Sequence, residues 1–180
     1  MGNILIEASS PLGHEIEGPG HLYLVYGSDN LTKFVIRGGP ENDIDIFDGS
    51  FSFGNIAVEV NMPMEISEDS RPLDQAGSYG SREIDLGGAE DVWFSMVKTA
   101  AQINQSGINY DVANFLFWEN RNTVIDYVLT QENIDLSENM LLNPNEAGEY
   151  LLFGAYLGAG GETYYENIDD AILKKSSLIE

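Results

Sequence analysis

Five consecutive polar residues, Glu119-Asn120-Arg121-Asn122-Thr123, open a segment that reads as an amphipathic helix running to about Gln131. At about 100° per residue, Arg121 falls on the same face as Val124, Ile125 and Val128, while Asn122, Asp126 and Leu129 flank or oppose that stripe. A charged side chain at the first turn of a helix, directed where the core should be, is unusual. Enzymes often place a nucleophile there, because the helix N-terminus lowers the pKa of a thiol. Arginine cannot play that part, since its guanidinium stays protonated and is not nucleophilic. The position is therefore an active site that has changed, or a partly buried arginine paired with a carboxylate, which a chain this acidic readily supplies.

A second group lies early in the chain. His21-Leu22-Tyr23-Leu24-Val25-Tyr26 and Leu31 to Arg37 flank the turn residues Gly27-Ser28-Asp29-Asn30, which is a β-hairpin signal. With the turn centred on Asp29, Leu24 faces Phe34, Leu22 faces Ile36, and His21 meets Arg37 on the opposite face. Alternation then predicts one dry face and one carrying His21, Tyr23 and Arg37, an arrangement that a one-residue slip would undo. A third group, Asp43, Asp45 and Asp48 beside Glu41 and Gly49, is an oxygen-rich loop. Calcium takes about six to eight oxygen ligands and suits such loops. The spacing lacks the third and last ligands of an EF-hand, so a solvated acidic loop is the default and calcium the sharper alternative. No spacing among the remaining carboxylates selects a glycosidase pair, and Gly49 to Gly54 lacks the G-x-S-x-G elbow.

Composition narrows the classes. The net charge is −22, from 8 basic and 30 acidic residues among 180. So few cations cannot neutralise phosphates, which argues against nucleic acid or an anionic membrane as partner. With no cysteine, disulfides, thiolate metal sites and a cysteine nucleophile are excluded, and two histidines argue against a zinc site built mainly on imidazole. Residues 1–10 carry no basic n-region and too short an apolar run for a Sec signal. No stretch reaches the length of a membrane-spanning helix. The expectation is a soluble protein, cytoplasmic or exported without a cleaved leader.

The elements that must position these groups follow the chain in order. Asn3 to Ala8, the hairpin, Asn55 to Met64 and Arg82 to Leu86 read as strands, with Gly38-Gly39-Pro40 ending the hairpin. Glu65 to Ser81 reads as a long surface connection. Ala89 to Asn104 is a helix, with Trp93, Met96, Val97, Ala100, Ile103 and Asn104 in one stripe, Glu90 and Asp91 at its start, and Ser106-Gly107 closing it. Ile108 to Val112 links it to the second helix. Glu149 to Leu157 is ambiguous between strand and helix, and Asp169 to Lys175 is a possible short helix. The whole is a single α+β domain, residues 1–180, with an antiparallel sheet packed against two main helices.

The segments GHLYLVYGSDNLTKFVIRGGP and INYDVANFLFWENRNTVIDYVL resemble bacterial members of the permuted NlpC/P60-like, papain-like superfamily. In those, a His-bearing hairpin precedes a helix that begins roughly Asn-Cys/Ser-Asn-Ser; the matching positions here are Asn120, Arg121, Asn122 and Thr123. The likeness covers about a third of the chain. It implies that His21 stands where the family has its base and Arg121 where it has its nucleophile, so the expected function is that of a diverged, inactive relative of amidases, peptidases and acyltransferases. Such a relative would bind a small anionic or peptide-like ligand between Tyr23 and Arg37 on one side and Asn120 and Asn122 on the other. A working hydrolase would have to use Thr123, about 200° around the helix from Arg121, or an unassigned serine. A third alternative is an acidic accessory or binding module of a leaderless secreted protein, stabilised by calcium; Gly158 to Glu162 is similar to a single glycine-rich calcium repeat without its Asp.

Overall fold

The computed structural model describes residues 2–9, 21–27, 33–42, 53–67, 78–110, 121–136 and 162–177. Over the described residues it is an α+β structure: an open antiparallel sheet with three α-helices. The strands are β1 (Asn3–Ser9), β2 (His21–Gly27), β3 (Lys33–Asn42), β4 (Phe53–Pro63) and β5 (Ser78–Ile84), with a two-residue strand β6 (Asn109–Tyr110) at one edge. Their spatial order is β5-β1-β2-β3-β4-β6. The helices are α1 (Ala89–Ser106), α2 (Arg121–Gln131) and α3 (Glu162–Ser176). The third helix is longer than the short one expected over 169–175, so among the described residues the helical layer has three members rather than two main ones.

Alternation decides the two faces of the sheet. Ile4 and Ile6 of β1, Leu22, Leu24 and Tyr26 of β2, Ile36 of β3 and Ile56 and Val58 of β4 all join the core beneath the helices. Between them, Tyr23, Val25 and Val35 form a separate apolar cluster on the other face, with Leu5, Met62 and Met64 packed against it. The ladder pairs Leu24 with Ile36 and Tyr26 with Phe34. That is a shift of two residues from the pairing expected with Asp29 at the centre of the turn. Because the side-chain period is two, such a shift exchanges partners and leaves every residue on its expected face.

Gly38-Gly39-Pro40 does not end β3. The strand continues through it, with Gly38 opposite Val58, Gly39 opposite Ala57 and Pro40 opposite Ile56. The register breaks between Pro40 and Asn42, where a residue without an N–H is tolerated. A second break sets Val35 opposite Met62 but Ile36 opposite Val60, leaving Asn61 as the extra residue of a β-bulge. Asn61 has φ +51°, a left-handed conformation that Asn adopts more readily than most residues. Its side-chain oxygen accepts a hydrogen bond from the Trp93 indole at 2.9 Å, which ties the bulge to α1.

On α1, Trp93, Met96, Ala100 and Ile103 are buried, as their helical spacing predicts. Trp93 also stacks on Tyr26, with ring centroids 5.5 Å apart. The helix ends at Gly107, φ +70°, a conformation that favours glycine at this position. Asn104 accepts the Val58 N–H at 2.9 Å, and the Ile108 carbonyl accepts the Ile56 N–H at 2.8 Å. These bonds satisfy donors along β4 that an uncovered edge would leave open.

Candidate functional site

Helix α2 begins at Arg121 and packs across β2 and β3. The expected amphipathic stripe is not what the fold uses. Every residue from Thr123 to Leu129 is buried, and Val124, Ile125, Tyr127, Val128 and Leu129 all enter the helix-side core. A helix covered all round must settle its polar groups internally. The Tyr127 hydroxyl does so by donating to the Asp169 carboxylate of α3 at 2.5 Å. Burial first, then that hydrogen bond and the carboxylate's charge, hold the Tyr127 phenol well above its ordinary pKa of 10.0. Thr123 and Asp126, only 3% and 4% exposed, also make interactions within the fold. The helix closes on Asn133, φ +58°. The Asn133 N–H donates to the Thr130 carbonyl at 2.9 Å and the Ile134 N–H to the Leu129 carbonyl at 3.0 Å, the paired bonds of a Schellman cap.

The polar group on the other face of the sheet is assembled differently. Arg37 is 6% exposed and lies opposite Glu59 in the β3–β4 ladder. Its guanidinium is 4.0 Å from the Glu59 carboxylate. After β4, a single 3-10 turn at Met64–Ile66 folds the chain back. The buried Ser67 then donates its hydroxyl to the second Glu59 oxygen at 2.5 Å. One carboxylate thus answers a buried cation and holds down the end of a strand. Such a pair contributes little net stability compared with apolar packing, but it penalises any register that would separate its members.

This division separates residues that the sequence suggested would share a pocket. Tyr23 sits in the cluster with Val25 and Val35, and Arg37 alternates with Val35 on that same face. The sheet stands between them and the buried side chains of α2. Tyr23 and Arg37 therefore do not join α2 in one polar site, and the anion expected at Arg37 is replaced by the protein's own Glu59. His21 opens β2 opposite Ser9, two positions before Tyr23, so its place in the alternation is on the face of Tyr23 and Arg37 rather than that of α2. Arg121 and Asn122 open α2. Thr123 is enclosed in the core, which is a poor situation for a nucleophile that must reach a substrate. Asn120, Asp43, Asp45 and Asp48 lie outside the described residues, as do residues 158–161. Among the described residues, no three His, Asp or Glu side chains gather as a metal site. No helix among them is long and apolar enough to cross a membrane.

Sequence reasoning missed Glu59 and Ser67. A signal was present for Glu59, a lone carboxylate between Val58 and Val60 in a strand, but only the ladder register identifies Arg37 as its partner. Ser67 carried no local signal, because the turn that returns it to the sheet is set by tertiary packing. No protein-family model, curated protein or solved structure matches the chain.

Proposed function

We propose that the chain is a diverged, non-catalytic relative of the permuted NlpC/P60-like enzymes, and that it binds a small anionic or peptide-like ligand at the start of α2. The observation that carries this reading is that α2 begins at Arg121 and packs across the His21-bearing hairpin, the order of parts that the family resemblance calls for. In that arrangement the N–H groups of the first helical turn, together with the Arg121 guanidinium, would favour a carboxylate or similar anion. The ligand site is confined to residues 120–122, since Tyr23 and Arg37 belong to the opposite face and His21 alternates in step with Tyr23.

The cysteine-free chain allows a direct test. In Arg121→Cys, a single thiol stands where the family has its nucleophile. Near neutral pH it should alkylate with iodoacetamide faster than free cysteine, because a helix N-terminus favours the thiolate. The unaltered chain should hydrolyse no activated ester or amide above background. A thiol of ordinary reactivity contradicts an anion-favouring site at the start of α2. Turnover by the unaltered chain that Thr123→Ala abolishes contradicts the non-catalytic reading.

A further inference from the structure

We draw no further inference here: the strongest candidate, the buried Arg37–Glu59–Ser67 cluster on the sheet face away from α2, is an ion pair internal to the fold, and no second observation among the described residues points to a ligand there.

Discussion

The two faces of the sheet use neighbouring residues of the same strand for opposite purposes. Ile36 enters a core closed by α1 and α2, where shape and apolar area decide stability. Arg37, the next residue, is as thoroughly enclosed, yet its place depends on one carboxylate from β4. A dry face tolerates any hydrophobic group of suitable volume. A charged position accepts only a register that delivers its partner. The helix face therefore supplies most of the stability, and the back face helps to select the pairing of β3 with β4.

The largest effect belongs to the helix face. Trp93→Ala removes a fully packed side chain together with its stack on Tyr26 and its bond to Asn61, and should cost about 3–5 kcal/mol in urea unfolding. A loss of under about 1 kcal/mol would mean that α1 does not close this core. Next comes the back face. Arg37→Met strands the Glu59 carboxylate and should cost about 3 kcal/mol. The double variant Arg37→Met/Glu59→Leu should lose less than Arg37→Met alone, whereas simple additivity of the two single changes would remove the coupling on which the contrast rests.

The smallest effect tests the polar group inside the helical layer. The Tyr127 pKa is raised in the folded state, so the folded protein holds that proton more tightly than the unfolded chain does. The stability this contributes is fully present below about pH 10 and is lost as the pH rises further, toward the folded value. Tyr127→Phe should cost about 1 kcal/mol at neutral pH and flatten the alkaline fall in melting temperature. An identical alkaline slope in the two proteins would show that folding does not raise the pKa of this phenol.

Much of the fold was legible because periodicity reports burial directly. The β1 and β2 strands, the α1 stripe and its glycine stop all follow from local pattern, and even the shifted hairpin kept its faces. The continuation of β3 through Gly38-Gly39-Pro40 was not legible, since local turn chemistry was overruled by pairing with β4 and a register break at the proline. Nor was the full enclosure of α2. Thr123 and Asp126 look like a solvent face by residue type, and burying such a helix requires partners from elsewhere in the fold, as Asp169 is for the Tyr127 hydroxyl. Of the candidate site, the sequence marked Arg121 in the first turn of a helix and set Arg37 on the face away from Leu24 and Ile36, but the partner of Arg37 depended on where Glu59 would lie.

The proposed site at the start of α2 is tested most directly by thermal unfolding with and without a small carboxylate. A ligand bound only by the folded state raises the melting temperature. N-acetylglycine, a carboxylate with one peptide-like group, should raise it in the unaltered chain and not in Arg121→Ala. An equal rise in both chains, or none in either, would contradict the proposed site.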